Sequence, residues 1–334
     1  MNSLRLQPQQ YKRGILQGDR TVLAKAITVV ESTLPQDQQL AGQVLDAIVP
    51  HTGKSLRIGI TGAPGVGKST FIESFGKTLT ASGKKVAVLT IDPSSQITRG
   101  SILGDKTRMQ ELAKEPLAFI RPSPSGHTLG GVSTHTRETI LLCEAAGFEI
   151  IIIETVGTGQ SEVAVKSMVD FFLLLMQSGS GDELQGIKKG IVEMADAIAV
   201  TKADGKNLQA AKAAQADLQT ALHLQQPQPS GWIPRVMTCS AMEGKGLAEI
   251  LVVIEKFQKQ LSTTGYLLAN RQTQHNAWFQ EHFSYLLSID PAQFPEVGKA
   301  QTRLKDLVQS REISPRNAAH QLLDVYHDAV KAQS

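Results

Sequence analysis

The chain has 334 residues, of which 41% are hydrophobic and 19% charged, and a formal net charge of +3. That length holds one large domain with appended elements, or two domains, and so small a charge calls for no nucleic-acid surface. The only cysteines, Cys143 and Cys239, exclude a disulfide framework and a cysteine-based zinc site and suit a reducing cytosol.

The first residues lack the apolar core of a secretory leader, so a cytoplasmic protein is expected. Residues 1–54 read as a polar-faced helical extension that serves as packing or as a partner surface. Apolar groups at three- and four-residue spacing run from Arg20 to Ile27 behind Asp19, a candidate cap, and a second helix is expected over Gln36–Val49.

Ile58 to Thr70 reads I-G-I-T-G-A-P-G-V-G-K-S-T and matches G-x-x-x-x-G-K-[ST] at every fixed position. Gly62, Ala63, Pro64, Gly65, Val66, Gly67, Lys68, Ser69 and Thr70 form the candidate phosphate loop. Its glycines permit positive φ and close approach, so successive N–H groups can surround phosphate oxygens. A helix beginning near Lys68 adds unsatisfied amides. Lys68 is placed to supply charge to the β and γ phosphates, and Ser69 an oxygen to Mg²⁺. The alternative is a glycine-rich strand-to-helix turn with no ligand.

From Leu56 short apolar runs alternate with helical stretches. Strands are expected at Leu56–Thr61, Val86–Ile91, Glu149–Ile153, Phe171–Leu175, Ala197–Thr201 and Val236–Cys239. Helices are expected at Lys68–Ala81, Asp105–Leu112, Thr134–Ala146, Leu208–Leu222 and Leu247–Leu261. The pattern is α/β, a mostly parallel sheet flanked by helices, with ligands bound at the carboxyl ends of its strands. The most apolar runs, Ile150–Ile153 and Phe171–Met176, are far shorter than the roughly 20 residues that span a bilayer, and no membrane association is expected.

Acidic residues fall at those carboxyl ends. Asp92 can hold Mg²⁺ or cap the next turn, and Asp105 can sit in a nucleotide-sensing loop or cap the following helix. Glu154 ends a buried strand with Gly157 three residues on, which puts a carboxylate near a metal and an N–H near a γ-phosphate. Gln160 is a candidate to orient water, and Gln177–Lys189 reads as a polar, glycine-rich loop. His127 and His135 lack partners at ligand spacing, and an ordinary ion pair is the simpler reading of Arg137.

The run ending Thr201, Lys202, Ala203, Asp204 points to guanine. The Asp204 carboxylate can accept from both the ring N1–H and the exocyclic N2–H₂, while the Lys202 stem lies over the base. Ser240, Ala241 and Met242, at the end of a further apolar run, can bring a backbone N–H to guanine O6.

After Thr263 the alternation stops. A helix over Leu267–Leu287 carries Trp278, Phe279, Phe283, Leu286 and Leu287, and helices follow at Lys299–Gln309 and at Pro315–Ala332, the last capped by Ser314. Such an apolar stripe packs in the core or forms a dimer interface.

With these residues in hand the chain resembles the MeaB/ArgK GTPases, G-protein chaperones of adenosylcobalamin-dependent acyl-CoA mutases. The resemblance covers nearly the whole chain. It is carried by G-A-P-G-V-G-K-S-T, I-D-P-S-S, L-G-D-K-T-R-M, H-T-L-G-G-V, E-T-V-G-T-G-Q-S-E and C-S-A-M-E-G-K-G. One position departs: the base-binding motif usually begins with Asn, and here Thr201 removes an amide that would brace the loop or meet guanine N7.

The resemblance implies a P-loop fold in three parts: an N-terminal helical extension (1–54), a GTPase domain (55–262) and a C-terminal helical dimerisation arm (263–334). It implies hydrolysis of GTP to GDP and phosphate with Mg²⁺, no tightly bound organic cofactor, and a homodimer bound to methylmalonyl-CoA mutase or a relative. Lys68 would be catalytic, Ser69 and Asp105 metal ligands, and Asp92 and Glu154 would act in the metal's shell or on water. The alternatives are a nickel-type metal-insertion GTPase, a small-molecule kinase on the same loop, and a nucleotide-binding scaffold that does not hydrolyse.

Overall fold

A computed structural model of the chain describes residues 5–92, 109–124, 131–155, 161–179, 189–223 and 228–333. Contacts divide the chain into two units, Met1–Gln274 and His275–Ser334.

The first unit opens with α1 (Pro8–Leu16), α2 (Arg20–Val30) and α3 (Pro35–Ile48). Asp19 Oδ1 accepts from the N–H groups of Thr21 and Val22 at 2.8 and 3.1 Å, so α2 starts where the sequence places its cap. Helix α1 is an addition to the expected elements. It is polar and buries only Tyr11, Gly14 and Ile15. Gly14 permits close packing on α2, since a Cβ there would lie 2.7 Å from Val22 Cγ1.

The chain then alternates through β1 (Leu56–Gly62), α4 (Lys68–Ala81), β2 (Val86–Asp92), α5 (Gln110–Lys114), β3 (Ala118–Pro124), α6 (Gly131–Ala145) and β4 (Ile150–Glu154). It continues through α7 (Ser161–Lys166), β5 (Phe171–Gln177), α8 (Lys189–Met194), β6 (Ala197–Thr201), α9 (Leu208–His223), β7 (Arg235–Thr238) and α10 (Leu247–Thr263). The strands form one parallel seven-stranded sheet in the order β3-β2-β4-β1-β5-β6-β7.

All six expected strands are present, and β3 is a seventh. The helix expected over Asp105–Leu112 is described only as α5; residues 105–108 lie outside the described residues.

Helices cover both faces. On one, Ile58, Ile60, Ile152 and Leu173 pack under Phe71 and Phe75 of α4 and Ile254 and Phe257 of α10. On the other, Leu174, Met176, Ile198 and Val200 meet Ala211, Leu218 and Leu222 of α9. Two-sided burial explains why these strands read as continuous apolar runs. Cys143 and Cys239 are buried, and burial raises both thiol pKa values, that of Cys239 to about 12.

Charges lie under the amino ends of β1 and β5. Arg57 Nε donates to Glu144 Oε1 at 2.9 Å, and the Gly53 N–H donates to Glu144 Oε2 at 2.8 Å. Asp170 accepts from the Arg57 N–H at 2.8 Å and from Arg271 Nη2 at 2.6 Å. Arg271 belongs to α11 (Tyr266–Ile289), which supplies residues to both units.

The second unit adds α12 (Pro295–Gln309) and α13 (Pro315–Gln333), which pack against each other and bury Val297, Leu304 and Ala318. Phe294 and Tyr326 meet edge to face at 5.6 Å, and the Tyr326 hydroxyl donates to Asp290. Ser314 Oγ accepts from the Asn317 N–H at 3.2 Å, the expected cap. Phe279, Phe283, Leu286 and Leu287 are exposed along one stretch of α11, with the two phenyl rings stacked at 6.4 Å. Among the described residues no helix is long and apolar enough to cross a membrane.

Candidate nucleotide site

Strand β1 sits between β4 and β5, and the loop leaving its carboxyl end is Gly62–Thr70. Gly62 has φ 154°, and a Cβ there would lie 2.5 Å from the Leu175 carbonyl oxygen, so only glycine fits. Gly67, with φ 98°, is the N-cap of α4 and aims the helix's first amides at the loop's interior.

Lys68 Nζ donates to the carbonyl oxygens of Gly62 and Ala63 at 2.7 and 3.1 Å. An ammonium carries three protons, so one remains for a phosphate oxygen. Burial lowers the Lys68 pKa, and the negative charges of Glu154 and Glu162 oppose that shift. In a partly dry site a charge acts strongly.

Glu154 ends β4 opposite Ile60 of β1 and is buried. Ser69 Oγ donates to Glu154 Oε1 at 3.2 Å, and Thr155 Oγ1 donates to Thr61 Oγ1 at 2.8 Å behind them. A hydroxyl and a carboxylate oxygen converging beside a phosphate loop are hard donors, the kind that hold a small divalent cation. Among the described residues no group of three His, Cys, Asp or Glu side chains is placed to hold a metal. Asp92 ends β2, two residues beyond the Thr90 that pairs with Glu154. Asp105, Gly157, Gln160, His127 and Lys188 lie outside the described residues. Arg137 Nη2 donates to Ser167 Oγ at 2.8 Å.

The other flank is built from the ends of β6 and β7. Lys202 has φ 54°, and its Nζ donates to the Gly65 carbonyl at 2.9 Å and to Gln177 Oε1 at 2.8 Å, which binds this loop to the phosphate loop. Ser240 Oγ donates to Asp204 Oδ2 and accepts from the Glu243 N–H, so the carboxylate plane is fixed. The Ser240–Lys245 turn closes with paired backbone bonds of 3.0 and 3.1 Å, and Ser74 of α4 donates to the Ala241 carbonyl at 2.8 Å. Gly246 ends the turn with φ 79°, and a Cβ there would lie 2.2 Å from the Thr238 carbonyl oxygen. The side chain of Met242 is exposed. Lys202, Asp204, Ser240 and Ala241 therefore come together across the mouth of the loop.

The expectation that Thr201 loses the brace is corrected by the geometry. Thr201 Oγ1 donates toward the Val66 carbonyl at 2.8 Å and the Met176 carbonyl at 3.1 Å, so the hydroxyl itself ties β6 to the phosphate loop. Sequence reasoning named Gln177 and Glu162 only as ends of loop segments, with no role of their own, and missed Ser74. Gln177 stands in register with Thr201 on the next strand, whereas no sequence pattern marks Ser74. Glu162 is buried and its charge reaches Lys68.

A phosphate loop on the central strand and a fixed acceptor facing it from β6 define a P-loop GTPase. The family model described as methylmalonyl Co-A mutase-associated GTPase MeaB matches residues 23–289. This chain belongs to that family, as its motifs imply, and hydrolyses GTP.

Relatives agree over most of the length. The chain is 51% identical over 269 residues to the GTPase ArgK of Escherichia coli K12, covering 80% of this chain and 81% of that protein. It is 44% identical over 323 residues to the mitochondrial methylmalonic aciduria type A homolog of Mus musculus, covering 94% and 78%. A crystal structure described as an LAO/AO transport system kinase superposes with a TM-score of 0.76 at 39% identity, covering 96% of this chain and 99% of that one.

Proposed function

We propose that GTP hydrolysis by this chain serves an adenosylcobalamin-dependent acyl-CoA mutase, methylmalonyl-CoA mutase or a close relative, and gates its cofactor loading, protection or reactivation. The observation that carries this reading is the family match over residues 23–289, whose description names that mutase. The mouse relative, described by the aciduria that bears the same acid's name, supports it.

In this reading Mg²⁺ accompanies GTP, held by Ser69 and Asp105 with Asp92 and Glu154 in its shell, and it neutralises phosphate charge when bound. The loop amides and Gly157 cradle the phosphates. The free proton of Lys68 stabilises the charge that develops as the β–γ bond breaks. Asp204 selects guanine, an N–H of the Ser240–Met242 turn meets O6, and Lys202 holds the base loop against Gly65.

In the same proposal residues 1–54 form a helical extension, 55–262 the GTPase and 263–334 a dimerisation arm in a cytoplasmic homodimer. The exposed Phe279, Phe283, Leu286 and Leu287 support a dimer interface on that arm.

The test is a pull-down from native extract with GDP or a non-hydrolysable GTP analogue. A B12-dependent mutase retained in a nucleotide-sensitive way is the expected result; its absence with both nucleotides would refute the partner. A second reading, phosphoryl transfer to a small acceptor, is favoured by the solved relative described as a kinase. Radiolabelled γ-phosphate appearing on a metabolite instead of as free phosphate would select it.

A further inference from the structure

The base end of the site carries one more inference, which rests on the GTPase reading. Guanine presents N–H donors along one edge and the acceptors O6 and N7 along another. Asp204, an acceptor only, can meet the donors, and a backbone N–H of the Ser240–Met242 turn can meet O6. N7 requires a donor of its own.

The side chain at the end of β6 is Thr201, 5% exposed, and its hydroxyl has a single proton. That proton faces the carbonyl oxygens of Val66 at 2.8 Å and Met176 at 3.1 Å. The remaining lone pairs of Oγ1 are acceptors, and so is N7. Lys202 Nζ, the next donor along, spends two of its three protons on Gly65 and Gln177; with its stem lying over the base, the third stands above the ring, whereas N7 accepts in the ring plane.

We propose that the described side chains of this pocket leave guanine N7 unread, and that Thr201 is a positioning residue, a latch holding the base loop to the phosphate loop. Adenine carries N7 as well, so leaving it unread sacrifices affinity but no discrimination between the purines. Selectivity rests on Asp204 alone among the described side chains that converge here.

The experiment is calorimetric titration of the full-length protein, in magnesium buffer, with GDP and with 7-deaza-GDP, in which a C–H replaces N7. The wild type is expected to bind the two within about twofold of each other. A loss of about fivefold or more on removing N7, the size of one hydrogen bond, would overturn the inference.

Thr201→Asn supplies two N–H protons, one to keep the latch and one for N7, and is expected to open a gap of about fivefold between the nucleotides. An Asn variant that treats them alike would remove the geometric basis. Thr201→Val matches the shape and lacks the proton that faces the Val66 and Met176 carbonyls. It is expected to weaken both nucleotides equally, by about fivefold or more, with rescue by Thr201→Ser. Unchanged affinity in the Val variant, or no rescue by Ser, would overturn the latch, and the Ser variant tests it even where Val prevents folding. Failure of the GTPase reading looks different: no binding of GDP, or ATP bound as tightly as GTP, would remove the guanine site and this inference with it.

Discussion

Ser69 donates from Oγ to Glu154 Oε1 across 3.2 Å, joining the first turn of α4 to the last residue of β4. The two come from different strand-to-loop junctions, and parallel pairing of Ile60 with Glu154 is what brings them to one corner. Glu154→Gln keeps the shape and an acceptor oxygen while removing the charge. GTP turnover in a phosphate-release assay is expected to fall by roughly a hundredfold, with the circular dichroism spectrum unchanged. Turnover at the wild-type rate would exclude Glu154 from the site.

Asp204 is held by the Ser240 hydroxyl, which leaves it the acceptor capacity that the proposed guanine site requires. Asp204→Asn replaces an acceptor by a donor. Xanthine carries a carbonyl where guanine carries N2–H₂, and the variant is expected to prefer xanthine to guanine nucleotides by tenfold or more, roughly 1.4 kcal/mol. Competition of XDP against GDP measures this. A variant that keeps its guanine preference would place the base elsewhere.

The Arg57–Glu144 pair has side chains only 5% and 0% exposed. Glu144→Ala strands a buried guanidinium and an amide of Gly53, and the expected loss of stability is about 3 kcal/mol or more. Urea unfolding at neutral pH checks it. A change under about 0.5 kcal/mol, typical of surface sites, would show that the pair is wetter than its burial implies.

His135 Nδ1 lies 3.2 Å from Glu138 Oε2, and this contact raises the imidazole pKa above 6.5 against the opposing effect of burial. Glu31 and the Val30 carbonyl act in the same direction. A raised folded-state pKa contributes stability that is fully present below 6.5 and is lost as pH climbs through the raised value. NMR titration is expected to place His135 above an ordinary imidazole in the wild type and lower in Glu138→Gln. Equal values in both proteins would remove the pair as the cause.

The core of the fold was legible because its signals are local. The helix expected over Lys68–Ala81 is α4 to the residue, since Gly67 fixes its start, and Ala197–Thr201 is β6 because five buried residues leave no polar break. Strand β3 was hidden by Pro122 and Pro124. Prolines are tolerated there because β3 lies at the sheet edge, where the side facing away from the ladder needs no N–H. Helix α1 was hidden by polarity: it buries only Tyr11, Gly14 and Ile15, too few to read as an apolar stripe.

The site divides in the same way. Lys68, Asp204 and Ser240 sit in contiguous motifs, whereas the bonds from Ser74 to Ala241 and from Thr201 to Val66 join residues 167 and 135 positions apart. No local pattern encodes such pairs. Thr201 showed this most directly, because its type suggested a lost brace and its position restored one.

The central claim is that one pocket both selects guanine and releases the terminal phosphate. The direct measurement is phosphate release by the purified protein with magnesium and saturating GTP or ATP, alongside Lys68→Ala. Release from GTP, little from ATP and none from the variant is the predicted result. Equal release from ATP, or undiminished release by Lys68→Ala, would contradict it.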